Sequence, residues 1–296
     1  MHVSPNAPKA YFLTARPKTW AAGLSPVCIG TIWASQMGSI RISVFFLTLL
    51  FSLLIQIGAN YANDYFDFIN GADTSLRKGP KRATQEGWIS PRAMKNATFL
   101  IFCSALLIAI PLMKMAGLWS LGVALLCVLF GILYTGGPKP LGYLGLGELL
   151  VLIFYGPVAV CGTYFLQTSS LSPSIFIVSL APGFLSCAIL IANNLRDEIS
   201  DRTVGKCTLI VRFGHRFGCW EYLLSLSVAF LIPFLLIVFY KAPAAIALTS
   251  LVFFFIPFSK LRSRDPLVLA SLLPATAFIL MLYTLIFSAC LIASAH

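Results

Sequence analysis

Long uninterrupted apolar runs constrain the fold of this chain more than any other feature. Nine runs of roughly 17–27 residues recur along the sequence, each long enough for a helix to cross a bilayer. Only 10% of the 296 residues are charged, whereas soluble domains carry about 25%. We therefore predict an all-α integral membrane protein with nine transmembrane helices. The expected spans lie near residues 20–37, 42–62, 97–115, 118–134, 147–167, 174–192, 221–240, 242–258 and 267–293.

The basic residues indicate how these spans are oriented. Alternating the loops across the membrane places 18 of the 21 Lys and Arg residues on the N-terminal side and leaves Arg41, Lys114 and Lys241 opposite. Loops rich in Lys and Arg stay in the cytoplasm, so we expect a cytoplasmic N-terminus and a multi-pass protein of the cell inner membrane. This asymmetry accounts for the net charge of +11, and no nucleic-acid partner is predicted.

The chain shows no shift in composition that would divide it, so we predict a single membrane domain over residues 1–296. Within it we expect a cytoplasmic N-terminal segment at 1–19 and two cytoplasmic loops at 63–96 and 193–219. Residues 1–18 contain no early apolar segment, so the first span is expected to act as the insertion signal. All ten acidic residues fall on or near the cytoplasmic side, which indicates one charged face where chemistry occurs.

A first cluster of polar residues lies where the second span leaves the membrane. It comprises Asn60, Asn63, Asp64 and Asp67, with Asp73 following a few residues later. One-turn spacing places Asn60 with Asp64, and Asn63 with Asp67, on shared helix faces. Carboxylates held one turn apart repel each other, so such an arrangement favours a bound cation.

A second cluster of the same residue types lies at the end of the sixth span. It comprises Asn193, Asn194, Asp197, Glu198 and Asp201, in which Asn193, Asp197 and Asp201 form a row on one helix face. Both clusters begin with Asn and continue with carboxylates at one-turn spacing, and about 130 residues separate them. Their likeness suggests that the chain contains two related halves.

The donor atoms of the two clusters favour Mg²⁺, which binds through one or two carboxylates together with substrate phosphates. The three histidines lie in neither cluster, so zinc is not expected. Basic residues surround the carboxylates, and carboxylates, Mg²⁺ and bases together are what a bound diphosphate requires. Taken one by one, these basic residues are equally consistent with ordinary loop charge. They are Arg77, Lys78, Lys81, Arg82, Arg196, Arg202, Lys206 and Arg212.

Both clusters resemble the signatures of the UbiA superfamily of membrane prenyltransferases. The stretch from Asn63 to Asp67, followed by Gly71 and Asp73, resembles the first signature, and the stretch from Asp197 through Arg212 resembles the second. The segments 15–19, 79–82 and 142–147 are similar to the naphthoate branch, the 1,4-dihydroxy-2-naphthoate polyprenyltransferases of menaquinone biosynthesis. The resemblance covers the chain to about residue 214.

Two details bear on the branch. Asp73 lies six residues after Asp67, as in the naphthoate branch, whereas the wider superfamily commonly places this acid four residues after its predecessor. Glu148 stands where the branch has Asp, a departure that keeps a carboxylate.

The resemblance implies nine helices around a central cavity, with the lipid chain along a lateral opening. It also implies transfer of a polyprenyl group from polyprenyl diphosphate onto 1,4-dihydroxy-2-naphthoate, with decarboxylation to a demethylmenaquinone. Mg²⁺ is the expected cofactor, and its expected ligands are Asn63, Asp64, Asp67, Asp73, Asp197 and Asp201. Of these, the expected catalytic residues are Asp64, Asp67, Asp197 and Asp201.

Further residues are expected to contact the two substrates within the bilayer, and no protein partner is required. The expected diphosphate-binding residues are Asn60, Arg77, Arg82, Asn193, Asn194, Arg202 and Lys206. The expected acceptor-binding residues are Arg16, Lys18, Tyr134 and Tyr155. Aromatic side chains that could stabilise an allylic cation are Tyr61, Tyr65, Phe66, Tyr134 and Tyr155.

Three alternatives remain open at this stage. The first is a prenyltransferase of the same superfamily that uses another aromatic acceptor, such as 4-hydroxybenzoate. The second is a membrane transporter, although the clusters lie at helix ends on one side and not in mid-membrane. The third is a membrane phosphatidyltransferase, whose usual acidic stretch is missing from the sequence.

Overall fold

The computed structural model describes residues 6–38, 40–72, 79 and 81–294, and every regular element among them is helical. The α-helices, numbered in chain order, are α1 (Pro8–Thr14), α2 (Trp20–Ala34), α3 (Ile42–Ile69), α4 (Pro91–Ala116), α5 (Leu118–Leu133), α6 (Gly147–Thr168), α7 (Pro173–Thr203), α8 (Leu209–Phe213), α9 (His215–Tyr240), α10 (Phe258–Leu261), α11 (Pro266–Leu269) and α12 (Leu272–Ser294). Residues Phe154–Val158 form a π-helical turn inside α6. The 3₁₀-helical segments are Pro17–Thr19, Ser35–Met37, Leu141–Leu144 and Ala244–Phe255.

Six helical stretches in the described part of the chain are long and apolar enough to cross a membrane. They are α3, α4, α6, α7, α9 and Pro266–Ser294. The shorter α2, α5 and Ala244–Phe255 coincide with the other three predicted spans. The predicted all-α, multi-pass membrane protein is therefore confirmed.

The two motif stretches are more helical than the sequence analysis predicted. Helix α3 continues to Ile69 and α7 to Thr203, so the prediction of loops from 63 and from 193 onward was wrong. Each helix stops beside a glycine with positive φ, Gly71 (65°) and Gly205 (73°), a conformation that favours glycine and ends helices. The acidic clusters therefore sit on rigid helical turns, which fixes the relative directions of their side chains.

Close contacts at small residues set the positions of α2 and α3 within the bundle. A Cβ added at Gly58 of α3 would lie 2.6 Å from the Phe102 ring of α4. A Cβ added at Gly30 of α2 would lie 2.6 Å from the Val160 carbonyl oxygen of α6. Small residues let membrane helices approach closely where van der Waals packing holds them together.

The chain before α2 folds over the end of α3 that carries the acids. The Tyr61 hydroxyl donates to the Tyr11 carbonyl oxygen (3.1 Å), and the Asn60 amide donates to that of Ala15 (2.9 Å). Residues 81–90 return over the same end and lead into α4, whose first turn is capped by Ser90. These segments close one end of the bundle around the polar residues of α3.

Candidate functional site

A cavity of about 840 Å³ lies within the helical bundle. One face of α3 lines it from Thr48 to Asp67, which at 1.5 Å per residue is a length of about 28 Å. Acidic, basic and amide side chains line the end near Asp67, whereas Leu112, Trp119 and Leu166 line the other end. The cavity therefore joins a charged compartment to a long apolar one.

Asp67 accepts three hydrogen bonds from side chains at the charged end. Its Oδ2 accepts a hydrogen bond from Arg82 Nη2 (2.8 Å). Its Oδ1 accepts from the Tyr143 hydroxyl (2.6 Å) and from Lys206 Nζ (3.2 Å). Asp67 and Arg82 are both buried, and a buried carboxylate is stable only when it is paired and hydrogen-bonded.

Lys206 links the two acidic clusters across the chain. Its ammonium lies 3.2 Å from Asp67 Oδ1 and 4.0 Å from Asp201 Oδ1. It also lies 4.6 Å from the centre of the Tyr143 ring, within the range of a cation–π contact. The fold thus brings the end of α3 and the end of α7 to one place.

The second cluster is organised around Arg196. The guanidinium binds Asp197 through two parallel contacts, Nε to Oδ1 (2.8 Å) and Nη2 to Oδ2 (2.6 Å). Its Nη2 also donates to Asn193 Oδ1 (2.6 Å). These three side chains and Asp201 all line the cavity. Arg196 was counted only as a nearby base in the sequence, although its bidentate geometry makes it central here.

Asp64 does not share the environment of Asp67. Its carboxylate is buried and does not line the cavity. Its oxygens accept hydrogen bonds from the backbone amides of Ala83 (3.0 Å) and Thr84 (2.9 Å) and from the Thr84 hydroxyl (2.5 Å). The expectation that Asp64 and Asp67 face one cation is therefore not met by this arrangement, because α3 turns the two side chains toward different neighbours.

Glu148 holds one of the predicted diphosphate-binding amides. Its Oε1 accepts a hydrogen bond from Asn194 Nδ2 at 2.8 Å, between the start of α6 and the middle of α7. Because the amide nitrogen is the donor, this contact orients the Asn194 amide with its oxygen away from Glu148. Asn194 lines the cavity, whereas Glu148 lies behind it.

A second polar group lies deeper in the cavity wall. The Tyr155 hydroxyl, on the π-helical turn of α6, donates to Gln56 Oε1 (2.5 Å). Gln56 Nε2 reaches the Thr19 hydroxyl (3.1 Å), which also lies 3.3 Å from the Asn60 amide. The sequence analysis missed Gln56, although a polar residue one turn before Asn60 inside an apolar span is a recognisable signal.

Most of the predicted site residues meet at the cavity, and a few do not. Arg202 does not line it; its side chain is exposed and lies 3.5 Å from Glu198, so the structure does not support its assignment to the diphosphate. Asp73 and Arg77 lie outside the described residues. The predicted residues that do line the cavity are Arg16, Lys18, Asn60, Asn63, Asp67, Arg82, Tyr134, Tyr155, Asn193, Asn194, Asp197, Asp201 and Lys206.

The donors at the charged end fit a hard cation that arrives together with an anionic substrate. Among the residues that the structure describes, no three His, Cys or carboxylate side chains are grouped closely enough to hold a metal by themselves. Asp67 and Asp201 instead approach one ammonium from two helices. Mg²⁺ is commonly held by one or two carboxylates with substrate phosphates and water completing its shell, so this sparse oxygen set suits it.

Comparison with known proteins places the chain in a family. The model of the UbiA prenyltransferase family matches residues 23–282. This chain belongs to the UbiA prenyltransferase family. It is 39% identical over 230 residues to a 1,4-dihydroxy-2-naphthoate octaprenyltransferase of Haemophilus influenzae, covering 75% of this chain and 74% of that protein. It is 38% identical over 214 residues to the Escherichia coli protein of the same name, covering 70% and 69%.

Solved structures with the same fold are more distant in sequence. The apo structure of a UbiA homolog from Aeropyrum pernix K1 has a TM-score of 0.69 at 14% identity and covers 95% of this chain and 99% of that one. A UbiA homolog from Archaeoglobus fulgidus bound to GPP and Mg²⁺ has a TM-score of 0.65 at 16% identity, covering 94% and 99%. These likenesses confirm the UbiA-type helical fold that the sequence analysis predicted.

Proposed function

We propose that this protein transfers a polyprenyl group from polyprenyl diphosphate to 1,4-dihydroxy-2-naphthoate. The observation that carries the proposal is one cavity with a charged end at Asp67, Asp197 and Lys206 and a largely apolar remainder. A polyprenyl diphosphate has the same division between a charged head and an apolar chain. The identity of 37–39% to several 1,4-dihydroxy-2-naphthoate octaprenyltransferases supports the acceptor.

The charged end supplies contacts suited to a diphosphate. Arg82 and Lys206 reach the cavity from different loops and are the cations that we assign to its oxygens. Asn193 and Asn194 add amide groups from α7. Charge-assisted contacts of this kind hold phosphate oxygens more strongly than neutral ones do.

The Mg²⁺ ligands that we propose are Asn63, Asp67, Asp197 and Asp201, all of which line the cavity. Bound there, Mg²⁺ would supply positive charge that stabilises the departing diphosphate. Asp73 stays a predicted ligand outside the described residues. Lys206 provides positive charge that Asp67 and Asp201 share.

The reaction divides between the two ends of the cavity. The allylic C–O bond breaks and the diphosphate leaves with the electron pair, stabilised by the surrounding positive charge. The resulting allylic cation needs a dry, electron-rich wall, and Tyr134 and Tyr155 line the adjacent part of the cavity. The ring carbon that bears the carboxylate forms the new C–C bond, and CO₂ leaves with restoration of the aromatic ring. Since no oxidant takes part, the direct product is demethylmenaquinone in its quinol form.

Arg16 and Lys18 are the residues that we assign to the acceptor carboxylate. Both line the cavity beside Thr19, in the segment that folds over the end of α3. Arg16 adopts a left-handed backbone conformation with φ of 51°, which is uncommon for a residue with a side chain. The deeper Gln56–Tyr155 pair offers polar contacts for the ring hydroxyls.

We further propose that the charged end of the cavity faces the cytoplasm. The support is the distribution of Lys and Arg, which places 18 of 21 on that side of the predicted topology. Cysteine labelling of residue 139 and residue 241 in intact cells would test the orientation, since these positions are predicted to lie on opposite sides.

The function is tested with the purified protein, Mg²⁺ and a labelled polyprenyl diphosphate. The naphthoate acceptor and 4-hydroxybenzoate are supplied in separate reactions, and prenylated product and CO₂ are measured. We expect prenylation and CO₂ release with the naphthoate. Prenylation of 4-hydroxybenzoate alone would overturn the acceptor, and absence of any prenylated product would overturn the proposal as a whole.

A further inference from the structure

Asp64 occupies the first signature motif but faces a segment of backbone. It is 1% exposed, and both of its carboxylate oxygens accept hydrogen bonds from residues 83 and 84. With 3.6 residues per turn, Asn63 and Asp67 point in directions about 40° apart on α3, whereas Asp64 points about 100° away from Asn63. Asn63 and Asp67 therefore share the cavity face, and Asp64 lies beside it.

The segment that Asp64 binds carries a cavity residue. Arg82 directly precedes the two amides, is buried, and reaches Asp67 at 2.8 Å. Its backbone also joins the tight turn that follows, because the Glu86 amide donates to the Arg82 carbonyl oxygen (2.9 Å). The position of a guanidinium depends on the position of its backbone. The hydrogen bonds to Asp64 fix the next two residues, Ala83 and Thr84, against α3.

A metal ion at Asp64 would have to share oxygens that already accept three hydrogen bonds. A buried carboxylate that loses hydrogen-bond donors leaves buried amides unsatisfied, which is among the costly changes in a protein interior. Among the described residues, the donors to the Asp67 carboxylate are the side chains of Arg82, Tyr143 and Lys206, which can rotate. The two acids of the motif therefore differ in what they are free to bind.

We propose that Asp64 is a positioning residue and not a metal ligand: it fixes residues 83 and 84 and thereby aims Arg82 at the site of the diphosphate. This inference rests on the proposed function in taking a diphosphate as the anion that Arg82 meets. The two acids of the motif thus have different roles: Asp67 faces the cavity, and Asp64 holds residues 83 and 84 beside it.

The first test needs neither metal nor substrate. Hydrogen exchange is measured on the metal-free protein, following peptides that contain the amides of Ala83 and Thr84. Asp64→Asn is expected to speed the exchange of at least one of these amides about tenfold or more, because the new NH₂ group cannot accept a hydrogen bond from the backbone N–H that it faces. Glu86→Gln, which makes the same carboxylate-to-amide change at a partly exposed side chain, is the matched control and should leave them protected. Equal exchange in the wild type and in Asp64→Asn would overturn the inference.

A pair of substitutions at the partner keeps the test independent of Asp64 itself. Thr84→Ala removes one of the three donors and should also speed exchange, whereas Thr84→Ser keeps the hydroxyl and should preserve protection. If these amides exchange at the same rate in Thr84→Ala and Thr84→Ser, the hydrogen bonds to Asp64 are not what protects residues 83 and 84. This comparison stands even if Asp64→Asn fails to fold.

The second test measures metal binding directly. Mn²⁺ is titrated into each variant at saturating inorganic diphosphate, with free Mn²⁺ followed by electron paramagnetic resonance. Asp67→Asn is expected to weaken Mn²⁺ binding by about tenfold or more, and Asp64→Asn by less than about twofold. Equal weakening in both variants would make Asp64 a ligand and the inference wrong.

The third test asks whether Asp64 acts through Arg82. Asp64→Asn should raise KM for the polyprenyl diphosphate about tenfold while KM for the aromatic acceptor changes little. In an Arg82→Ala background the same substitution should add almost nothing, because residues acting through one contact are not additive. If the effects of Asp64→Asn and Arg82→Ala on KM multiply in the double variant, Asp64 does not act through Arg82. A failed acceptor assignment would leave the exchange and Mn²⁺ results untouched, so the two proposals can fail separately.

Discussion

Replacing Asp67 by Asn should destabilise the protein as well as inactivate it. The carboxylate is fully buried and accepts from Arg82, Tyr143 and Lys206. An Asn amide has one acceptor oxygen, so in either orientation its NH₂ group meets at least one donor. The change also removes the negative charge from beside two cations whose side chains are 6% and 13% exposed.

The size of the effect follows from these contacts. A hydrogen bond to a charged group contributes about 1.5–3 kcal/mol, and breaking a buried ion pair costs about 3–5 kcal/mol. Because Lys206 keeps Asp201 at 4.0 Å, we take the lower part of that range and expect a loss of about 3 kcal/mol. For a chain of this size that corresponds to a fall in Tm of about 5–10 °C.

The measurement is thermal unfolding of the purified, metal-free protein in detergent, together with Mg²⁺-dependent turnover. Glu86→Gln is the matched control, because it makes the same chemical change in a neighbouring turn where Lys81 and Glu86 are 67% and 32% exposed. An exposed pair contributes at most about 1 kcal/mol, so its Tm should fall by less than about 3 °C. Equal shifts in the two variants would refute the reasoning about burial, and turnover by Asp67→Asn near the wild-type rate would remove Asp67 from the proposed site.

Three further predictions concern packing, the acceptor and the metal. Gly30→Ala should destabilise the protein by at least about 2 kcal/mol, measured as a lowered Tm, because the added methyl group separates α2 from α6. Gly122→Ala is the control and should leave Tm unchanged, because the space around Gly122 is open. An unchanged Tm in Gly30→Ala would contradict the close contact. Gln56→Leu should raise KM for the aromatic acceptor about tenfold and leave KM for the polyprenyl diphosphate nearly unchanged. The reason is that Tyr155 and Thr19 lose their shared hydrogen-bond partner. An equal rise in the two KM values would argue against an acceptor role for Gln56. Chelation of divalent ions should abolish turnover and added Mg²⁺ should restore it, and full activity in a chelator would exclude the proposed metal.

The sequence predicted the site better than it predicted how the site is built. One-turn spacing correctly placed Asn63 and Asp67 on one helix face, because helical geometry alone decides which residues of a helix share a direction. The sequence analysis also expected Asp64 and Asp67 to be Mg²⁺ ligands together, and the structure turns their side chains toward different neighbours. Which neighbours a side chain on the border of a face meets depends on what packs there, here residues 83 and 84.

The sequence analysis also could not predict contacts between distant parts of the chain. Lys206 lies 139 residues from Asp67, and Tyr143 lies 76 residues away, so no local pattern could indicate that both bind the same carboxylate. In the sequence, Arg202 looked equivalent to Lys206, which follows it four residues later. The turn after α7 directs Lys206 into the cavity and leaves Arg202 exposed beside Glu198.

The sequence by itself determined the membrane class, the helical spans, the two acidic clusters and the chemistry that their oxygen donors favour. These properties depend on local composition and helical periodicity, which act within a few turns. Tertiary structure alone decided that the clusters meet through Lys206, that a charged pocket continues into an apolar cavity, and that Asp64 binds backbone while Asp67 faces the cavity. Those outcomes depend on how α3 and α7 pack and on which loops fold over their ends, and packing is a property of the whole chain.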